Sequence, residues 1–216
     1  FDSNDQRWNK VKIVQNAFQD SDGWGRDLDY IVYFDSDLIV LNFEFRFEDI
    51  IEHYPTSDML FSRDSEPLNG LMNSGLFISK NSPWTISFLE KWWGTKEQRE
   101  MAIDQHAFST LWEQEQMKLI SDHITLLEPS ALNTHFPAWI HQKPQDSFLH
   151  LAGCSSVFRI EAFRVGFASL CSAYRLKSDT HPHQLGLTQE YLAELERNQP
   201  IDTQAANLLR RMESSK

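Results

Sequence analysis

The feature that most constrains this chain is an unbroken apolar run, Tyr30-Ile31-Val32-Tyr33-Phe34, that stops abruptly at Asp35-Ser36-Asp37. A β-branched and aromatic run of this kind reads as a strand covered on both faces, the condition of strands inside an α/β sheet. Two carboxylates one residue apart, where such a strand emerges into a loop, can face one ligand. Close carboxylates repel, so holding them together costs free energy unless a cation sits between them. A divalent metal is the favoured reading; the plainer one is a turn, in which Asp is common.

The rest of the chain supplies the alternation that a sheet with covering helices needs. Trp8, Val11, Val14 and Phe18 fall at helical spacing within residues 6 to 20, and Asp22, Gly23 and Gly25 then mark a loop. Asn42 to Tyr54 reads as a loop and short helix closing at Pro55. Met59 to Ser62 and Gly75 to Ser79 read as strands. Ser82 as cap and Pro83 at the first helical position open a helix, with Ile86, Leu89 and Trp93 on one face and Gly94 at its stop. A helix from about Ala102 to Glu115 and strands at Ile124 to Glu128 and Ser147 to Leu151 follow. This order predicts an α/β fold whose sheet is mixed, mostly parallel and flanked by helices, with Tyr30 to Phe34 at its centre and ligands beyond the carboxyl ends of the strands. Leu187 to Arg211 reads as a polar, peripheral helix broken at Pro200.

Charge narrows the ligand. Among 216 residues, 20 Lys and Arg stand against 31 Asp and Glu, a net charge of -11 that repels nucleic acid and anionic lipid surfaces. A phosphate-bearing ligand therefore needs a metal ion or a few placed cations. No apolar run reaches the ~20 residues that span a bilayer. Cys154 and Cys171 are the only cysteines, too few for a disulfide framework or a Cys-rich zinc site.

Beyond the Asp pair, the candidates each have a plain alternative. His150 follows the short strand SFLHL and precedes Gly153; an imidazole can join carboxylates around a metal, and a glycine lets backbone approach a phosphate, although a lone His is more often structural. Asn73-Ser74-Gly75 enters the GLFIS strand. Asp104-Gln105 opens a helix, where Asp104 either caps or points with Gln105 toward sugar hydroxyls and a reacting carbon. Arg63 and Asp64 either join them or form an exposed ion pair. Lys10 and Lys12 read as solvated helix charges unless an anion lies nearby, with Lys12 the plainer case.

Taken in order, the strand ending in D-S-D, the segment L-x-x-x-N-S-G-x-F-I-x-K-N-S-P-W, then D-Q, then F-L-H-L-A-G-C, resemble the GT-A glycosyltransferases. Within them the chain is most similar to the family of fungal galactosyl- and mannosyltransferases and plant xyloglucan xylosyltransferases, over Trp8 to Cys154, roughly two thirds of its length. The resemblance implies a GT-A fold, Mn²⁺ or another divalent cation on Asp35, Asp37 and His150, and a UDP- or GDP-sugar donor. It implies that Lys10 approaches the diphosphate and that Ser36, Asp64, Asn73, Ser74, Gly75 and Gly153 line the substrate. Asp104 and Gln105 would then stand at the reaction centre of a hexosyl or pentosyl transfer to a glycan acceptor with retained configuration, in the Golgi lumen. Membrane attachment would come only through a segment outside this sequence.

Two departures are visible. Ser155, Ser156 and Val157 follow Cys154, where family members commonly carry a second cysteine. Only 34 residues precede Asp35, too few for the upstream strand that holds the nucleotide base, so the expectation is a catalytic domain over 1–180, shortened at its N-terminus, with a helical tail over 181–216. Two other readings stay open. One is a phosphatase of the haloacid dehalogenase type with Asp35 as nucleophile and Asp37 as acid/base; the other is a catalytically silent domain that binds nucleotide sugar or glycan.

Overall fold

The computed structural model describes residues 6–20, 27–64, 72–95, 104–114, 121–135, 147–152, 159–160 and 162–164. The chain divides into two units, Phe1–His150 and Leu151–Lys216. The first opens with a 3-10 turn, Gln6–Trp8, running into helix α1, Asn9–Gln19. As the spacing predicts, Trp8, Val11, Val14 and Phe18 are all buried.

Four strands form the main sheet in the order β1 (Tyr30–Phe34), β4 (Asn73–Lys80), β3 (Met59–Ser62) and β5 (Ile124–Leu127). Alternating residues of each strand feed two separate cores. On one face Met59, Phe61, Phe77 and Ile124 pack with α1, with α3 (Pro83–Gly94) and with α4 (Asp104–Gln114). Tyr33, Phe77 and Phe61 stack in a row across the strands, with centroids 5.3 Å and 5.2 Å apart. On the opposite face Leu60, Leu76, Ile78 and Leu127 meet helix α2 (Phe47–His53), Leu132 of the short helix α5 (Pro129–Leu132), and a second sheet. That second sheet has the order β2 (Leu38–Val40), β7 (Phe148–His150), β6 (Thr134–His135), and it sets Leu38 opposite His150.

The α/β class and the mixed sheet flanked by helices stand as expected, with three adjustments. Of the five pairings among the described strands, three are antiparallel. The connection from Ser62 to Asn73 is shorter than the dozen or so residues that a parallel crossover needs, whereas β3 and β5, with α3 and α4 between them in sequence, do pair in parallel. Strand β1 stands at the end of the described order rather than at its centre, half-buried, and it is β4 that is buried along nearly its whole length. In α3 the buried stripe is Thr85, Phe88, Leu89 and Trp92, so the inward tryptophan is Trp92 and not Trp93. Trp93 instead lies edge-on to Trp8, 6.4 Å between centroids. The expected start of α3 is found: the Ser82 hydroxyl accepts from the Thr85 N–H at 3.1 Å, and Pro83 is the first helical residue.

In the second unit, residues 159–160 and 162–164 are helical, and the Arg159 guanidinium donates to the Leu151 carbonyl at 3.3 Å. Gly153, Cys154, Cys171 and the helix expected at Leu187 to Arg211 lie outside the described residues.

Candidate active site

The end of β1 is held by backbone: the Asp35 N–H donates to the Gly75 carbonyl at 2.7 Å, and the Leu38 N–H closes a turn on the Asp35 carbonyl at 3.2 Å. The chain turns from β1 into β2 within this segment, so Asp35 and Asp37 flank the junction of the two sheets. Pairing of β2 with β7 then brings His150 alongside. One ligand atom from each of Asp35, Asp37 and His150 lies within 4.8 Å of the others.

The donor set fits a cation. The His150 Nδ1 is 2.7 Å from the Asn133 Oδ1, an acceptor that favours a proton on Nδ1, the arrangement in which a neutral ring can ligate a cation through Nε2. Nε2 faces the Asp37 Oδ1 at 3.2 Å. Two carboxylates beside an imidazole are a donor set that suits a divalent ion such as Mn²⁺. Gly75 makes room for the ring: a Cβ there would stand 2.1 Å from the imidazole Cε1, well inside contact distance.

Lys10 is the hub behind the carboxylates. It is only 4% exposed, and its Nζ donates to the Asp35 Oδ2 at 2.8 Å and the Ser74 carbonyl at 3.2 Å, with the Asp104 Oδ2 at 3.3 Å. It also stands over the Tyr33 ring, 5.6 Å from the centroid. Burial pushes the Asp35 carboxyl above the usual range although Lys10 pulls the other way. Burial, then the neighbouring Asp35 charge and a hydrogen bond to it, push the Tyr33 phenol up strongly.

The β4 entry and the start of α4 meet here too. The Ser74 hydroxyl donates to the Asp104 Oδ2 at 2.6 Å, so that carboxylate, 3% exposed, is directed at Ser74 and Lys10. The Gln105 amide Nε2 donates to the Asp64 Oδ2 at 2.7 Å, and Asn73 Nδ2 reaches Asp64 Oδ1 at 3.4 Å. The Asn73 Oδ1 accepts the Gly75 N–H at 2.8 Å. The β3–β4 register shifts between Phe61 and Ser62, putting Asn73 opposite Ser62 just where these residues enter.

The structure thus draws together Lys10, Asp35, Asp37, Asp64, Asn73, Ser74, Gly75, Asp104, Gln105 and His150, which sequence reasoning named one by one. Ser36 lies exposed between the two carboxylates, and Gly153 falls outside the described residues. Lys12 keeps its plain role, with its Nζ on the Gln15 Oε1 at 2.7 Å and over the Trp93 ring. Missed from sequence were Asn133, Tyr33 as a partner of Asp35, and Trp92, whose Nε1–H donates to the Asp104 backbone carbonyl at 2.8 Å. Only for Asn133 was a signal present: an isolated amide between a Pro-initiated turn of helix and the next strand.

Known proteins agree on the class. The chain resembles the solved structure of a glycosyltransferase involved in the glycosylation of the major capsid of PBCV-1, with a TM-score of 0.58 and 14% identity over 74% of this chain and 77% of that one. It also matches the glycosyltransferase GlyE of Streptococcus pneumoniae TIGR4, with a TM-score of 0.45 and 20% identity over 64% of this chain and 36% of that one. A search of curated proteins finds no match. The fold is that of glycosyltransferases. Residues 51–160 match the galactosyl transferase GMA12/MNN10 family profile, and the chain belongs to that family. The matched half carries Asp64, Asn73 to Gly75, Asp104, Gln105 and His150, and the fold brings Lys10, Asp35 and Asp37 to it from outside. Membership makes the chain a transferase that implies a nucleotide-sugar donor and a glycan acceptor, and it removes the phosphatase reading of the Asp pair.

Proposed function

We propose that this chain transfers a hexose or pentose from a UDP- or GDP-sugar to a glycan acceptor, with a divalent cation and with retention of configuration, in the lumen of the Golgi. The observation that carries this reading is the convergence of Asp35, Asp37 and His150 within 4.8 Å, beside a second group made of Asp104, Gln105 and Asp64. Mn²⁺ held by the first group would offset the charge of the leaving diphosphate, which suits a protein whose net charge is -11.

The chain's own residues divide the remaining work. Lys10 holds Asp35 and Asp104 in place and brings the one buried ammonium among the described residues close to where a diphosphate would lie. Asp104 keeps a negative charge near the sugar, where it stabilises a developing positive charge at the anomeric carbon or attacks it. Gln105 is clamped through its Nε2 by Asp64, so its Oε1 is the pole directed to the donor sugar. Asn73 and Asp64 line the same sugar, with Ser36, Ser74 and Gly75 around the phosphates. The family membership supports a secretory-pathway location.

Isothermal titration of UDP- and GDP-sugars with and without Mn²⁺, joined to a transfer assay with glycan acceptors, tests this reading. Metal-dependent donor binding that disappears in Asp37→Ala supports it. Binding without any turnover, to acceptor or to water, leaves the silent-domain reading standing instead.

A further inference from the structure

We infer that Asn133 is a positioning residue that selects the tautomer of His150 and so decides whether that ring can ligate a cation. The inference rests on the metal reading above and goes beyond it to a residue with no contact to the metal. Asn133 is fully buried in the loop between α5 and β6, its backbone N–H donating to the Pro129 carbonyl at 2.8 Å. Helix α5 is itself pinned to the sheet: the Ser62 hydroxyl oxygen accepts the Leu132 N–H at 3.0 Å and its proton goes to the Glu128 carbonyl at 3.3 Å. The amide therefore sits on a fixed frame, its Oδ1 at 2.7 Å from the His150 Nδ1.

The other end of the amide gives the reason to look further. Asn133 Nδ2 is buried and has no hydrogen-bond partner among the described residues. Turning the amide over would let Nδ2–H donate to Nδ1 and leave a carbonyl unpaired, the milder of the two orphans. The ring would then carry its proton on Nε2 and donate it to Asp37, and His150 would be a hydrogen-bond donor rather than a ligand. The orientation present sets an acceptor against Nδ1 and so lets Nε2, 3.2 Å from the Asp37 Oδ1, be the nitrogen that ligates. It is the orientation that suits a ligating Nε2, as expected of a group that orients a metal-ligating histidine. Gly75 lies against the Cε1 edge of the ring, where a side chain would displace the imidazole.

The test uses Mn²⁺ alone. Binding to the wild-type chain, Asn133→Leu and Asn133→Asp is followed by the electron paramagnetic resonance signal of free Mn²⁺, and imidazole ligation by the pulsed-resonance coupling to ¹⁴N; thermal unfolding without metal verifies folding. Leu removes the acceptor, and a 10–100-fold weaker Kd of about that size with loss of the ¹⁴N coupling is expected. Asp keeps an acceptor for the same proton and should bind Mn²⁺ at least as tightly as wild type. A folded Asn133→Leu with wild-type Kd and coupling overturns the inference, as does an Asn133→Asp weakened as much as the Leu variant, since the loss is then one of packing. If Asn133→Leu does not fold, Asn133→Ser, which withdraws the acceptor by shortening the side chain, is judged by the same criteria. Wild-type protein that binds no Mn²⁺ overturns the metal reading itself, an outcome distinct from binding that ignores Asn133.

Discussion

At the scale of single residues, the site is a set of carboxylates gathered around one buried lysine. Burial raises the pKa of Asp35 even against Lys10. A carboxyl whose folded pKa exceeds its unfolded value contributes stability that is full below the unfolded value and lost as pH rises through the folded one. Metal-free Asp35→Asn, which mimics the protonated carboxyl, should therefore gain stability over wild type as pH climbs through and above the carboxylate range, with no gain well below it. Urea unfolding across that range checks this, and Mn²⁺ should stabilise wild type while leaving Asp35→Asn little changed. Lys10→Met should act in the opposite direction, by about 3–5 kcal/mol, because it strands buried carboxylates. Gly75→Ala drives a methyl into the His150 ring, and with 2.1 Å available the ring must leave its place. A loss of about 1–3 kcal/mol in thermal unfolding and a clearly weaker Mn²⁺ Kd are the expected results.

At the scale of elements, the helices work as frames for chemistry that other segments carry. Trp92, fully buried among Phe61, Phe77, Phe88 and Phe108, ties α3 to the first carbonyl of α4 and so holds Asp104 at the mouth of the site. Trp92→Phe keeps most of the ring contacts and removes that donor, which should cost about 1–3 kcal/mol in urea unfolding. Legibility from sequence divides along the same line. Tyr30 to Phe34, Met59 to Ser62 and the Ser82-Pro83 helix start carry local signals and fall where they were read. The phase of α3 slipped by one position because Ile86 and Trp93 look more apolar than Thr85, which tertiary packing buries. Strands β2 and β6, three and two residues long, are too short for periodicity to mark. Asp35, Asp37 and His150 were legible because residue type and strand end coincide. Asn133 was not, because its role depends on which ring it meets across the fold.

For the whole molecule, cation binding and folding are linked by mass action. A ligand at a hundred times its Kd adds about 2.7 kcal/mol, and for a chain of this size each kcal/mol raises Tm by roughly 2–4 °C. Mn²⁺ at that excess should therefore raise the Tm of wild type by several degrees and that of Asp37→Ala by none, with EDTA reversing the gain. Differential scanning fluorimetry across divalent ions, with Mn²⁺ expected to act most strongly, makes the comparison in one experiment.

The pairing of β2 with β7 has a further consequence, one of order in time. Asp35 and Asp37 leave the ribosome well before His150, and they become neighbours only when strands from the two ends of the first unit zip together. Such distant pairings close late because a long loop must be ordered first. During that interval the nascent chain carries its two carboxylates without the imidazole, and Lys10, which precedes them in synthesis, is the counter-charge already at hand. With a metal on this centre, folding would precede loading, and occupancy by Mn²⁺ would serve as a certificate that the last strand has docked.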